Sequence, residues 1–293
     1  MVIKKSLGER IFSIINIFVL GVFALASLYP MLYVVFSSLS DPVEYMKHTG
    51  MVLKPVGFSL EAYAKVLSKP EIATGYMNTL FYVVVGTAVN MAFTISLGYV
   101  LSRKKLMLNG FFMTMIIITM YFGGGLIPTY MVVKGLGLVD SRWAIILPSA
   151  ISTYNLIIMR AGFAGIPDSL EEAASIDGAS PFQTMVKIIM PLAKPTIAVI
   201  VLYYAVARWN SWFTEAIYLR DLDKYPLQLF LRDILITNNQ QDMMMSTNSA
   251  DQLALGEIIK YATIIVSTLP ILILYPFLQK HFTKGVMVGA VKG

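Results

Sequence analysis

The chain contains six stretches of about 20 or more predominantly apolar residues, the length that crosses a bilayer as a helix. They lie at roughly 11–36, 77–101, 111–133, 143–163, 195–218 and 258–278. Of its 293 residues 57% are hydrophobic and 14% charged, whereas soluble domains run at about 45–50% apolar and about 25% charged. A soluble fold cannot hide that much apolar surface with so few charges. The expected class is an all-α membrane protein with six transmembrane helices, forming a single domain over residues 1–293. The gaps at roughly 37–76 and 219–257 are polar and rich in turn formers, such as Asp41-Pro42 and Lys69-Pro70.

The first stretch has features of a signal peptide, with Lys4, Lys5 and Arg10 before it and Ala24-Leu25-Ala26 inside it. Its apolar run continues to Phe36, too long for a signal core, so it reads as a retained helix. Orientation follows from Lys and Arg near the span ends. The basic N-terminus, Arg103-Lys104-Lys105 and the C-terminal Lys280, Lys284 and Lys292 share one side if six helices alternate. Both termini are then cytoplasmic, in a multi-pass protein of the bacterial cytoplasmic (inner) membrane.

Zero cysteines exclude disulfides and thiolate chemistry, and His48 and His281 alone make no histidine metal centre. No metal site is expected. The net charge of +6 does not point to nucleic acid, because the basic residues flank apolar spans, where the membrane explains them.

One cytoplasmic segment, 168–191, breaks the apolar pattern: "EEAASIDGASPFQTMVKIIMP" from Glu171 to Pro191. Pro167 disfavours helix just before it, and Ser169 with Glu172 fits a capping box. A short helix through Glu171, Glu172, Ala173, Ala174 and Ser175 would close at Gly178. Ser180-Pro181 starts a second helix with proline in its first position. Phe182, Met185, Ile188 and Ile189 recur at helical spacing, and Pro191 and Pro195 end it. Such a bent pair of helices could rest on lipid headgroups. Its polar face offers Glu171, Glu172 and Asp177, however, where a headgroup helix favours Lys and Arg; a protein partner fits better.

Glu172-Ala173-Ala174, three residues, Gly178, nine residues, then Ile188-x-Met190-Pro191 resembles the EAA loop of ABC-importer permeases, with Met190 in place of the family's leucine. "EEAASIDGASPF", "GGGLIPTYMVVKGLGLVDSRWAIILP", "WNSW" and the ending "KGVMVGAVKG" are similar to the carbohydrate-uptake branch, to which the maltose permeases belong, and in particular to permeases for alginate or pectin fragments. The resemblance implies that Glu172, Ala173, Ala174 and Gly178 form a coupling helix between the fourth and fifth spans, seated in an ATPase subunit, with Glu171, Asp177 and Pro191 beside them. It also implies a second, related permease, an ATPase dimer holding ATP and Mg, an extracytoplasmic sugar-binding protein and an oligosaccharide moved by alternating access, in a setting of membrane lipid. The sequence has no G-x-x-x-x-G-K-[ST] phosphate loop, so no cofactor is expected in this chain and it is not expected to be an enzyme.

Other candidates carry two readings each. Arg208, Trp209, Asn210 and Trp212, with Tyr203 and Tyr204, either line a sugar path, where rings stack and Arg208 pairs with a uronate, or form an aromatic belt with Arg208 snorkelling. Gly123, Gly124, Gly125 and Pro128 either gate the path through a helix break or mark where the third span ends. Asn90 is expected to bond between helices, while Glu215, Glu257 and Lys260 are expected to be solvated. The loop with Met243, Met244 and Met245 could contact the sugar-binding protein or have no fixed structure. Two rival functions remain: a permease for another solute such as glycerol phosphate, and a self-sufficient membrane enzyme acting on lipid-linked sugars.

Overall fold

The computed structural model describes residues 6–103, 106–244 and 254–273. Every regular element among them is helical: α1 (Leu7–Ser38), α2 (Pro42–Lys47), α3 (Glu61–Leu67), α4 (Pro70–Ser102), α5 (Asn109–Tyr121), α6 (Leu126–Gly135), α7 (Trp143–Ile146), α8 (Thr153–Ala164), α9 (Ser169–Ile176), α10 (Pro181–Thr184), α11 (Met190–Leu192), α12 (Lys194–Trp209), α13 (Phe213–Tyr218), α14 (Leu227–Met244) and α15 (Ala254–Ile273). A π-turn, Met185–Ile189, joins α10 to α11, and a 3-10 turn, Leu222–Lys224, precedes α14. Lys104 and Lys105, the basic C-terminus with "KGVMVGAVKG", and Met245 lie outside the described residues.

Two compact units emerge, one of residues 1–69 with 231–268 and one of 70–230 with 269–293. In the first, α1 begins at a capping box in which Ser6 and Glu9 satisfy each other's backbone N–H. Its most apolar window has no side chain buried by the rest of the chain, as a helix bathed in hydrocarbon allows. Only its far end is polar and packed: Tyr33 and Tyr45 hydroxyls lie 2.6 Å apart, and the Ser38 and Tyr63 hydroxyls 2.7 Å apart.

In the second unit α4 is the central rod. One core cluster joins it to α8, the π-turn and α12 through Met91, Ile95, Met159, Phe163, Ile189 and Ile200. Another joins it to α6, α7 and α13 through Tyr82, Val133, Ile145, Ile146 and Tyr218. At their C-terminal ends α4 and α8 cap one another. Arg160 Nε donates to the Leu101 carbonyl at 2.9 Å, and Arg103 Nη2 to the Phe163 carbonyl at 3.2 Å, so each helix receives a cation at its negative end.

The expected spans are interrupted more often than the hydropathy pattern implied. Among the described residues α1, α4 and α15 are each long and apolar enough to cross a bilayer. The pairs α5/α6, bent by 112°, and α10–α11/α12, bent by 86°, add two more if each counts as one span. The stretch 143–163 is not one helix: α7 stops before Pro148, and α8 restarts at Ser152, whose hydroxyl accepts from the Asn155 N–H. Proline lacks the N–H that helix continuation needs. The span expected to reach 218 breaks after Trp209 and resumes as α13. The gap at 219–257, expected as an irregular loop, contains the helix α14.

The connection between α6 and α7 is set by Asp140, which has a left-handed φ of 61°. Its carboxylate accepts the N–H groups of Arg220 and Asp221, each at 3.1 Å, and meets Lys224 Nζ at 3.3 Å. The Arg220 and Asp221 N–H bonds, with Lys224 adding to them, hold this carboxyl below its ordinary range. A lowered folded-state value means stability that is present above the unfolded pKa of about 3.9 and lost as pH falls through the folded one. Protection of the Arg220 and Asp221 amides against hydrogen exchange, measured relative to the intrinsic rate at each pH, should therefore fall on acidification below about pH 4. In Asp140→Asn that acid step should be absent; an unchanged step would assign it to another group.

Candidate functional site

Two clefts in the second unit are lined by several of the residues singled out in the sequence. The first, of about 600 Å³, is lined by Tyr99 of α4, by Arg103 just past its end, and by Asp168, Glu171, Glu172 and Ile176 at α9. Here the segment 168–191 is indeed a pair of short helices. Ser180 caps α10 with Pro181 in its first turn, and Gln183 completes a capping box. Gly178 closes α9 at φ +78°, a conformation that costs an L side chain about 1–2 kcal/mol.

Two details differ from expectation. Ser169 and Glu172 form no capping box, because the turn after Pro167 places Asp168 at the N-cap in helical geometry with no side-chain bond. Pro191 does not end its helix: the π-turn just before it absorbs the missing N–H, and the break comes at Ala193.

Glu172, Ala173, Asp177 and Gly178 are exposed, while Ala174 is buried beneath α9. Ile176 is 87% exposed at the tip and Phe182 70% exposed on the next helix. Ile176 was not singled out in the sequence, although an isoleucine between a polar serine and an aspartate beside a glycine turn was a usable signal. Glu171 faces inward instead: Arg103 Nε lies 3.3 Å from its carboxylate, and Arg103 Nη1 lies 3.7 Å from Asp168. The guanidinium also sits over the Tyr99 ring, 5.0 Å from its centroid.

The second cleft, of about 260 Å³, is lined by Ser149, Asn155, Tyr203, Tyr204, Arg208 and Glu215, among others. It lies at the break between α7 and α8, where backbone groups need partners. Arg208 Nη1 donates to the Ile145 carbonyl at 2.7 Å, and Nη2 to the Ile146 carbonyl and to Asn90 Oδ1, both at 3.3 Å. Asn90 Nδ2 donates to the Ser149 carbonyl at 2.5 Å. The Ser152 N–H donates to the Tyr204 hydroxyl at 3.0 Å, which also meets Thr94 at 2.8 Å. Irregular backbone at membrane depth persists only where protein or water satisfies it, and here α4 and α12 supply the partners. A Cβ at position 86 would stand 3.0 Å from Arg208 Nε, so Gly86 makes room for the guanidinium.

Arg208, 9% exposed, does not snorkel. Asn90 makes the interhelical bond expected of it. Glu215 corrects an expectation: it is 1% exposed, not solvated, and accepts from Ser211 Oγ at 2.8 Å, because the turn after α12 folds its own helix, α13, back against α7. Glu257 and Lys260 pair with each other at 2.9 Å, and the Lys260 side chain, 13% exposed, is packed rather than solvated as expected. The rest of the proposed sugar path separates. Trp209 is buried against Tyr76, Trp212 meets Phe213 edge-on, and Asn210 bonds back to its own helix at the Val206 carbonyl. The break at Gly123–Gly125 is present: α5 ends at Tyr121, and Gly125, at φ +85°, starts α6 with Pro128 in its first turn.

The described residues thus form an all-helical membrane protein with repeatedly broken spans and a paired-helix segment between them. Residues 2–288 match the family described as "Binding-protein-dependent transport system inner membrane component", and the chain belongs to it. It is a multi-pass permease subunit of a binding-protein-dependent ABC transporter, not an enzyme. It is similar to the "Polygalacturonan/rhamnogalacturonan transport system permease protein YtcP" of Bacillus subtilis (strain 168), at 42% identity over 97% of this chain and 99% of that protein. It is 41% identical to "Protein LplC" of the same organism, over 97% of this chain and 96% of that one. Among solved structures it resembles "a bacterial ABC transporter involved in the import of the acidic polysaccharide alginate", with a TM-score of 0.86 and 35% identity over 96% of this chain and 100% of that chain.

Proposed function

We propose that this chain is one of two related permease subunits of an ATP-driven importer for acidic oligosaccharides of the pectin or alginate type. It crosses the membrane six times as a single domain, with both termini cytoplasmic. The observation that carries the docking assignment is the tip of α9: Glu172, Ala173, Asp177, Gly178 and the apolar Ile176 face outward from a helix whose inner side is tied down. Burying an isoleucine yields about 1.5–3 kcal/mol, so a side chain that far exposed on the cytoplasmic face suits a partner's cleft. That partner is the ATPase dimer, which holds ATP and Mg; this chain needs neither. Glu171, Ala174 and Pro191 keep the tip in shape.

Outside, an extracytoplasmic sugar-binding protein delivers substrate, with the segment around Met243 and Met244 as its contact. Tyr203, Tyr204 and Arg208 border the sugar path and Trp212 and Asn210 its rim, while Trp209 braces the wall from behind. Gly123, Gly124, Gly125 and Pro128 act as the hinge of a gate. The names of the relatives support the acidic sugar.

The test is a pull-down in detergent of the tagged chain with its second permease and ATPase, followed by uptake in proteoliposomes. The chain should retain the ATPase, and Glu172→Lys and Ile176→Asp should each weaken retention by about tenfold or more, since loss of a central anchor costs upward of about 2 kcal/mol. The intact complex should accumulate oligogalacturonate in preference to a neutral maltodextrin of equal length. Equal retention by both variants would remove α9 as the docking element, and a preference for maltodextrin would overturn the acidic substrate.

A further inference from the structure

Arg103 occupies a place that neither docking nor substrate passage explains. Its side chain is 13% exposed and touches three helices together: the Phe163 carbonyl ending α8, Asp168 and Glu171 starting α9, and the Tyr99 ring one turn back on its own helix. A planar guanidinium can hold such a set in fixed geometry, which a flexible ammonium cannot. Within α9 itself, Ala174 is the one side chain buried. The ion pairs of Arg103 with Asp168 and Glu171 therefore tie α9 to the bundle by charge, while its hydrogen bond to the Phe163 carbonyl fixes the guanidinium.

The same helix α4 also holds the second cleft. Asn90 and Thr94 lie 13 and 9 residues before Arg103, about 20 and about 14 Å along a continuous helix. Asn90 accepts from Arg208 and donates to the Ser149 carbonyl; Thr94 meets Tyr204. No break interrupts α4 from Asn90 to its last residue, Ser102, which Arg103 directly follows, whereas α7, α8 and α12 are each bounded by breaks close by. A displacement of α9 is thus delivered to the one uninterrupted rod that carries the polar partners of the cleft wall.

We propose that Arg103 is a positioning residue for transport: it locks α9 to the end of α4, so that movement of the docking helix shifts Asn90 and Thr94 and remodels the cleft around Arg208 and Tyr204. This rests on the reading of α9 as the ATPase-docking element. Rigid elements with two discrete arrangements carry such coupling, typically worth about 5–150-fold.

The test uses the complete importer in proteoliposomes with Arg103→Gln and Arg103→Lys. ATPase retention in the pull-down and hydrolysis without binding protein should stay within about twofold of the unmodified complex. Uptake per ATP hydrolysed should fall by about tenfold or more in Arg103→Gln. Arg103→Lys, which keeps the charge but loses the fork, should recover part of it; it also serves if the glutamine variant does not fold. A merely structural role would lower retention, hydrolysis and uptake together, and that result overturns the proposal. So does unchanged uptake per ATP in both variants. If the unmodified chain retains no ATPase, the docking assignment fails instead, a result separable from either.

Discussion

Replacing Arg208 with methionine should destabilise the chain by about 3–5 kcal/mol, whatever it does to uptake. The methionine fills much of the same volume, so the loss is electrostatic rather than a cavity. It leaves the Ile146 carbonyl and Asn90 Oδ1 without the Arg208 donor and the Ile145 carbonyl with Ser149 Oγ alone, and an unsatisfied buried group costs about 1–3 kcal/mol. It also takes from the buried Glu215, which lines the same cleft, the favourable field of the Arg208 charge, so that a carboxylate there would be left uncompensated, at a cost of the same order. Arg208→Met/Glu215→Gln should therefore be more stable than Arg208→Met alone, against the additivity expected of independent sites. Denaturation in detergent, followed by tryptophan fluorescence, measures all three proteins. Stability unchanged in Arg208→Met, with uptake lost, would mean instead that the guanidinium is a free ligand for the sugar carboxylate.

That prediction turns on something the sequence showed only in part. The membrane class and the paired helices at 168–191 were legible because length, apolar content, Ser180-Pro181 and Gly178 act locally. Asn90, polar in the middle of a span, was legible as an interhelical bond for the same reason. The interruption of 143–163 was signalled by Pro148, but its apolar content outweighed that signal. A proline in a span breaks it only where other helices can satisfy the freed backbone, and those donors came from Asn90 and Arg208, 58 and 60 residues away from the proline. The burial of Glu215 was hidden likewise: it depends on a turn at Asn210–Trp212 that folds α13 back, inside a stretch whose hydropathy reads as continuous. Arg103 was read only as one of three basic residues marking the cytoplasmic side. Its partners, Phe163, Asp168 and Glu171, meet it through tertiary packing that no spacing in the sequence announces.

Gly98→Leu is expected to have the second large effect, through the packing of α4 on α8. An ideal Cβ at position 98 would stand 2.8 Å from Met159 Cγ, 3.2 Å from Met159 Cβ and 3.5 Å from the Arg160 backbone nitrogen. Met159 is fully buried, so it has no solvent into which to swing. In an open helical position Gly→Ala gains about 1 kcal/mol from propensity; here the contact should cancel that gain, and alanine should be neutral or unfavourable. Leucine adds three more carbons and should force the helices apart, an overpacking worth about 1–3 kcal/mol or more. The displaced end of α8 carries Arg160, whose bond to the Leu101 carbonyl lies about one turn from Gly98, so a polar contact is lost with the packing. Met159→Ala alone should cost about 2–5 kcal/mol through its cavity. Combined with Gly98→Leu it should cost clearly less than the two separately, because the leucine fills the space the methionine leaves. Thermal unfolding of the two single variants and the double variant in the same detergent decides the matter. A strictly additive pair would mean that α4 and α8 do not meet at these residues, and the continuous rod on which the role of Arg103 depends would lose its support.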